Sequence, residues 1–448
     1  LPTLSRLNDP FRVYMIVPDI PAGGVLHQYM VSEPVVDLPK DIPGFRDPDN
    51  QFYLDPQASG RIALGGFEDK TYPFNPPWEF GRELVPEDME RLEQVVTNAS
   101  VRVPLLRDIG IKTIINGPIP VSPDGNPVLG KPIGTDNLYV AGGFTSGFSS
   151  GGGAGRVMAE WIVGGEQPFD LWPLDIRRFP PQFSRPDFLD QRCVEVHVQY
   201  YRQQGITFEY QSARPARVSP LYRHLRDDGA VFGSKFGWER PNWFTRGSEA
   251  PAAEAMVRRL AEEHRTVREA VALVDQTSFA KLELSGPGAL ALLQRLAAND
   301  IDKPPGTLVY TQMCNERGGI VADIVVNRLA ADRFYVVTGT GFPQHDFEWI
   351  RERLPAAGSV VMTDVTSGYA VLNICGPKSR ALLAAVTDAD MSTAAFPFMT
   401  SRTIAIGFAP VRAQRVGFVG ELGWELHVPS EYAVHVYERL HAAGEAHG

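Results

Sequence analysis

Cysteine is scarce in this 448-residue chain: Cys193, Cys314 and Cys375 are all it has, and they lie far apart. That spacing leaves no Cys-x-x-Cys zinc or redox motif and no disulfide framework, so no metal is expected and a reducing compartment fits. A run of about 18 apolar residues is also missing, which argues against a membrane-spanning helix. The first residues carry no secretory or transit pattern. The 43 Lys and Arg are outnumbered by 53 Asp and Glu, for a net charge of −10, and no basic cluster stands out. Charge therefore argues against a nucleic-acid partner. A last absence concerns cofactors. Before residue 100 no strand leads into the G-x-G-x-x-G turn that seats a dinucleotide pyrophosphate.

What the chain does have is ordinary bulk and an unusual glycine stretch. An apolar fraction of 44% with 21% charged residues is that of a globular protein, and the length suggests about three domains. Between Gly117 and Gly165 the turn Ser122–Pro123–Asp124–Gly125 precedes a buried strand expected over Asn137–Ala141. A glycine-rich loop, Gly142–Gly155, follows. Then comes a helical pattern with Val157, Met158, Trp161 and Ile162 on one face, stopped at Gly164–Gly165. Taken alone, this is either a mobile surface loop or a ligand loop. Strand, glycine loop and helix N-terminus together let backbone approach a ligand and aim free N–H groups at negative charge.

Around that stretch the periodicities are readable. Met15–Val25 is apolar but broken by Pro18, Pro21, Gly23 and Gly24, hence loop-like. Strands are expected over His27–Val36, Gln51–Leu54, Arg61–Phe67 and Ile109–Asn116, with an amphipathic helix over Pro86–Asn98. Pro168–Phe188 is an irregular but ordered connector, with a helix expected over Arg192–Tyr201. Trp238 and Trp243 in Gly237–Phe244 read first as packing residues. A solvated helix covers Ala252–Val267, and strand, strand and helix run over Ala270–Asp300. Asn315–Gly319 is a hairpin turn joining Leu308–Cys314 to Ile320–Arg328. Asp323 then lies in an otherwise apolar strand, where an acid is costly unless paired or used.

The Gly117–Gly165 pattern resembles the C-terminal flavin-contacting segment of D-amino-acid-oxidase-like amine oxidoreductases. With His27-Gln28-Tyr29, Phe52–Tyr53, Leu64-Gly65-Gly66, the Ser219–Tyr222 motif and Trp-Glu-Arg-Pro at 238–241, it is similar to the dimethylglycine and sarcosine dehydrogenase family. The resemblance implies that FAD is contacted by Gly117, Gly142, Gly143, Ser146, Gly147 and Phe148. It also implies that His27 and Tyr53 lie in an amine-oxidising pocket. A satisfied strand histidine and an ordinary amphipathic aromatic are the plain alternatives for those two.

Residues from Ala270 onward resemble the folate-binding aminomethyltransferase (T-protein) domain, through Tyr310-Thr311, Asn315-Glu316, Gly318-Gly319-Ile320, Asp323, Gly376-Pro377 and Gly420–Glu425. By that resemblance Tyr310, Asp323 and Glu425 contact tetrahydrofolate, Asp323 is the catalytic aspartate, and Glu421 is the near rival of Glu425. Phe418 stands where relatives often carry tyrosine.

The implied fold class is α/β and α+β. Residues 1–168 are the C-terminal half of a flavin fold, 169–248 a connector domain, and 249–448 part of a T-protein-like domain. The flavin half that binds ADP, with the histidine carrying covalent flavin, has no counterpart here, so a chain truncated at both ends is expected. The implied reaction is flavin-dependent N-demethylation of a small N-methyl amino acid, with the iminium carbon captured by tetrahydrofolate as 5,10-methylenetetrahydrofolate. The electron acceptor stays open among an electron-transfer flavoprotein, a quinone and O2, and bacterial cytoplasm or mitochondrial matrix is the implied location. A folate-binding scaffold without oxidation, or an inactive fragment, are the rival readings.

Overall fold

The computed structural model describes residues 20–448, apart from 40, 78, 82, 136, 203, 204, 206 and 357. Positions 15–19 of the expected loop lie outside the described residues. The chain divides into two compact units, with the break between Ala213 and Arg214.

The first unit is built on a five-stranded sheet of β1 (Gly23–Ser32), β2 (Phe45–Asp47), β3 (Phe52–Pro56), β4 (Ile62–Gly66) and β5 (Ile111–Val121). The spatial order is β2-β3-β4-β1-β5, antiparallel throughout. Strand β1 starts inside the segment expected to be a loop. Gly23 and Gly24 pair with Val121 and Pro120 there, and a Cβ on Gly24 would sit 2.1 Å from the Phe74 carbonyl oxygen. Those glycines mark close backbone approach within a strand, not a turn.

Helix α1 (Met89–Arg102) is started by the Asp88 side chain, which accepts from the Arg91 backbone N–H. Its Leu92, Val95 and Ala99 pack on Met30, Phe52 and Leu64 of the sheet. A second apolar cluster joins Val25 and Val121 to Leu189, Cys193 and Val196.

The expected buried strand over Asn137–Ala141 shrinks to β7 (Val140–Gly142), paired only with β6 (Val128–Gly130), and Ala141 is exposed. Its partner β6 takes the buried place in this ribbon, with Val128 and Leu129 packed under the following segments, and β7 lies on its open side. Helix α2 (Gly147–Gly164) begins inside the expected glycine loop. Met158 and Trp161 anchor it on Leu129 and Leu171, and that packing outweighs the poor helix propensity of its glycines. Gly165 caps it in the left-handed region, as the stop signal requires.

Three short 3₁₀ turns follow between Trp172 and Ser184, then α3 (Pro186–Gln199), which starts well before Arg192. Pro186 in its first turn explains the early start. Arg178 ties this connector to the upstream turn, donating from Nε and Nη2 to the Asp124 carboxylate at 2.8 and 2.9 Å.

The second unit opens with α4 (Tyr222–Asp227) and the hairpin of β8 (Ala230–Lys235) and β9 (Trp238–Phe244). Trp238 and Trp243 are buried, and the Arg217 guanidinium stacks 4.1 Å from the Trp238 ring centre. Residues 169–248 thus contribute to both units. Helix α5 (Ala253–Glu269) leads to β10 (Ala272–Asp275), β11 (Ala280–Ser285) and α6 (Ala289–Leu296). Then come β12 (Leu308–Cys314), β13 (Ile320–Ala330), β14 (Arg333–Thr338), α7 (Pro343–Arg351), β15 (Val361–Asp364), β16 (Tyr369–Cys375) and α8 (Ser379–Ala384). The unit closes with β17 (Thr400–Ile406), β18 (Ala409–Arg415), β19 (Gly423–Pro429) and α9 (Ala433–Gly444).

These strands form two five-stranded sheets, β12-β13-β14-β11-β15 and β10-β16-β19-β18-β17, all antiparallel. Each buries one face under helices. Ile324, Val326, Phe334 and Val336 pack with α6 and α7, while Leu372, Val411, Trp424 and Leu426 pack with α8 and α9. Period-2 alternation turns the intervening polar residues to the opposite faces. Those polar faces meet, with the Tyr335 hydroxyl 3.0 Å from His427 Nδ1.

Candidate functional site

In the first unit, β1 and β3 lie on either side of β4, and their register sets His27 beside Tyr53. His27 Nε2 is 3.3 Å from the Tyr53 hydroxyl, so the structure brings these two expected residues together. On its other side His27 Nδ1 is 3.2 Å from Nε2 of His197, which comes from the C-terminal end of α3. Glu68, just past β4, places Oε2 3.9 Å from that same His197 nitrogen. Its Oε1 accepts from Arg91 Nη2 of α1 at 2.8 Å, and both side chains of this ion pair are fully buried.

Burial, with Arg91 adding to it, holds the His27 imidazole down at about 4; burial keeps His197 neutral as well. Burial also pushes Glu68 up to about 7 against the pull of Arg91, and raises the Tyr53 hydroxyl. One ligand atom each from His27, Glu68 and His197 lies within 4.8 Å of the others. The guanidinium already on Glu68 supplies the positive charge that a divalent ion would bring. The cluster is therefore better described as an ion pair with two neutral imidazoles beside it than as a metal site.

A cleft of about 410 Å³ opens over this cluster, lined among others by His27, Tyr53, Arg46, Tyr201, Thr145 and Ser146. The last two are the residues just before α2, so the glycine segment reaches the His27–Tyr53 pair. Thr145 Oγ1 is buried with no partner among the described residues, and Ser146 Oγ lies 3.0 Å from the Tyr200 hydroxyl. An orphaned hydroxyl and the open first turn of an 18-residue helix fit an anionic, planar group there. Gly143 needs its glycine, with φ 65° and a Cβ position 3.2 Å from Val128 Cγ2. Gly147 is helical with free space around it, Gly142 is in β7, and Gly117 pairs with His27 in the sheet. Phe148 is fully exposed.

In the second unit the expected Asn315–Gly319 hairpin joins β12 to β13, and Asp323 follows. Its neighbours Ala322 and Ile324 enter the apolar core, so Asp323 points the other way and is exposed. The expectation that its charge needs buried compensation is corrected: alternation along the strand turns it to the solvent-exposed face, opposite Gln312. Gln312 Nε2 donates to its Oδ1 at 3.2 Å, and the carboxylate raises the hydroxyl pKa of the adjacent, exposed Tyr310.

Glu425 lies on β19 on the facing sheet, again opposite core residues Trp424 and Leu426. It is paired across the sheet with Asn373 and Gln414, and its Oε2 is 3.6 Å from His427 Nε2. The rival Glu421 is occupied by Arg268 at 2.6 Å, and Phe418 is exposed. Both Gln414 amide atoms and Asn373 Oδ1 are buried without hydrogen-bond partners among the described residues, and His427 Nε2 has only the Glu425 carboxylate at 3.6 Å. Such unfilled hydrogen-bonding capacity beside a carboxylate fits a heterocycle with a donor–acceptor edge. Lys281 is fully buried on the facing sheet; burial brings its ammonium down to about 7 although Asp275 and Asp364 oppose the shift.

Sequence reasoning missed Glu68, Arg91, His197, Tyr201 and Arg46 in the first unit and Gln414, Asn373 and Lys281 in the second. For the second group the signal was available, since each polar residue alternates with apolar ones on its strand. No local pattern points to the first group, which comes from separate elements.

The comparisons now have a geometry to attach to. The pattern of the "FAD dependent oxidoreductase" matches residues 9–161, its "central domain" residues 164–219, and the "GCVT N-terminal domain" residues 221–448. Sarcosine dehydrogenase, mitochondrial, of Homo sapiens is 33% identical over 96% of this chain and 52% of its own length. Dimethylglycine dehydrogenase, mitochondrial, of Mus musculus is 31% identical over 97% and 52%. The 4-methylaminobutanoate oxidase (formaldehyde-forming) of Paenarthrobacter nicotinovorans is 33% identical over 95% and 52%. The chain spans about half the length of the curated relatives it matches. No helix among the described residues is long and apolar enough to cross a membrane. The chain belongs to the GCVT N-terminal domain family through residues 221–448, joined to segments of an FAD dependent oxidoreductase.

Proposed function

We propose that the chain carries the amine cleft and the folate site of an enzyme that oxidatively demethylates a small N-methyl amino acid, dimethylglycine or sarcosine. The observation that carries it is the cleft itself, where Thr145 and Ser146 of the glycine segment meet a neutral His27–Tyr53 pair. The names of the three relatives support the substrate class. Thr145, Ser146 and the start of α2 would hold the flavin of FAD, which would supply a hydride acceptor when bound.

The chain's residues do the rest. Backbone N–H groups opening α2 favour negative charge, an effect worth roughly 0.3–2 kcal/mol. Arg46, on the cleft wall, attracts the substrate carboxylate. Neutral imidazoles keep added positive charge away from the amine, which must lose its proton before its methyl carbon can give up hydride. In the second unit Glu425 holds the pterin edge of tetrahydrofolate with Gln414 and Asn373. Asp323, solvent-accessible beside Tyr310, takes the proton released when the folate amine captures the iminium carbon.

The test is anaerobic mixing of the complete, flavin-loaded gene product that contains this chain with dimethylglycine or sarcosine. Bleaching of the flavin absorbance is expected with at least one of them. A folate-binding protein without oxidation would show no bleaching with either, and the amine half of the proposal would fall.

A further inference from the structure

His27 and His197 face each other through one ring nitrogen each. Their facing nitrogens, 3.2 Å apart, share one hydrogen, and either ring can own it. If His27 Nδ1 carries it, Nε2 is bare and the Tyr53 hydroxyl donates to His27. The cleft is then offered the Tyr53 oxygen as an acceptor. If His197 Nε2 carries it, His27 Nδ1 accepts and His27 Nε2–H donates to the Tyr53 oxygen. The Tyr53 hydroxyl hydrogen is then free for a ligand.

Two independent features select the second arrangement. Glu68 Oε2 lies 3.9 Å from His197 Nε2, and a carboxylate oxygen repels a bare nitrogen lone pair but attracts an N–H. It has no hydrogen-bond partner among the described residues, while Arg91 holds the other oxygen at 2.8 Å and fixes the carboxylate's direction. At the far side of the ring, His197 Nδ1 is buried without a partner among the described residues. An orphaned acceptor is tolerated in protein interiors more readily than an orphaned N–H, so the hydrogen again belongs on Nε2.

From this geometry we infer that Glu68 and His197 are positioning residues that fix the His27 hydrogen on Nε2 and so turn the Tyr53 hydroxyl into a hydrogen-bond donor toward the cleft. The chain Arg91–Glu68–His197–His27–Tyr53 runs from a fully buried ion pair to the cleft wall and sets the polarity of its last member. Arg46 is paired across the strands with Tyr53, and a donor beside that guanidinium suits the carboxylate of an amino acid. The inference rests on the amine-cleft reading for its ligand, though not for its tautomer.

The test uses the flavin-loaded protein at pH 8, above the value of about 7 to which burial pushes Glu68. Nitrogen-15 NMR of labelled histidine reads the tautomer directly: His27 is expected with a bare Nδ1 and a protonated Nε2. His197→Phe keeps the ring packing against Phe67 and removes the donor. It should weaken binding of (methylthio)acetate about tenfold while changing binding of its neutral amide less than twofold. His197→Gln, which restores an N–H donor, should recover much of the difference. Glu68→Gln leaves Arg91 unpaired and risks unfolding, so the His197 variants carry the weight.

A protonated Nδ1 on His27 in the parent, or equal weakening of both ligands in His197→Phe, overturns the inference. If neither ligand binds the parent while NMR shows the expected tautomer, the substrate reading fails and the positioning chain stands.

Discussion

Replacing Glu425 by glutamine removes one charge and keeps the side chain's shape. The carboxylate is 18% exposed, 3.6 Å from His427 Nε2, and flanked across the sheet by the uncharged Asn373 and Gln414. Nothing in that row can replace the lost charge. Burial lowers the His427 pKa, so the fold loses no full ion pair and stability should move by less than about 1 kcal/mol. Binding should suffer more. A hydrogen bond to a charged group is worth roughly 1.5–3 kcal/mol, which is about 10–100-fold in affinity.

Calorimetric titration with 5-formyltetrahydrofolate measures it, with thermal unfolding as the control for the fold. Glu421→Gln removes only the ion pair with Arg268, so its folate affinity should match the parent's. If Glu425→Gln binds folate as the parent does, or Glu421→Gln is the variant that loses it, the assignment of the pterin carboxylate is wrong.

Two further outcomes follow from the first unit. Gly143→Ala forces a side chain into the left-handed region against Val128, a cost of about 1–2 kcal/mol. Gly147→Ala enters an open helical position and should gain up to about 1 kcal/mol, so the two melting temperatures should move in opposite directions; equal shifts would refute the distinction. The second outcome concerns pH. His27, held down at about 4 from 6.5, loses up to about 3 kcal/mol of stability as pH falls between those values, whereas Glu68, raised from 4.5 to about 7, adds stability over 7 to 4.5. His27→Gln deletes the first contribution, so its melting temperature should rise relative to the parent's on acidification; parallel curves would contradict the burial argument.

The parts that were legible were those where one local rule decides. Period 2 located β3, β4, β12 and β13, and Asn315–Gly319 with its two glycines located the hairpin between the last two. The acidic start and apolar stripe located α1. Three things escaped for physical reasons. Helix α2 starts at Gly147 because packing by Met158 and Trp161, farther along, sustains glycines that local propensity assigns to a loop. Asp323 was read as a costly acid because its neighbours are all apolar, yet a strand with one face in the core and one open to solvent accommodates its charge. His197, Glu68 and Arg91 carry no mutual sequence signal, since α3, the end of β4 and α1 meet only through the tertiary fold. The His27–Tyr53 pair was reached through family resemblance, and the structure supplies the contact that makes it chemically coherent.

The central claim is that one carbon leaves the amine in the first unit and is captured on folate in the second. Feeding the flavin-loaded protein sarcosine labelled with carbon-13 in its methyl group, with and without tetrahydrofolate, tests it directly, and Asp323→Asn is the informative variant. The account predicts label in 5,10-methylenetetrahydrofolate when folate is present, in formaldehyde when it is absent, and in formaldehyde under both conditions for Asp323→Asn. Label in formaldehyde alone from the parent with folate present, or undiminished methylenetetrahydrofolate from Asp323→Asn, would contradict it.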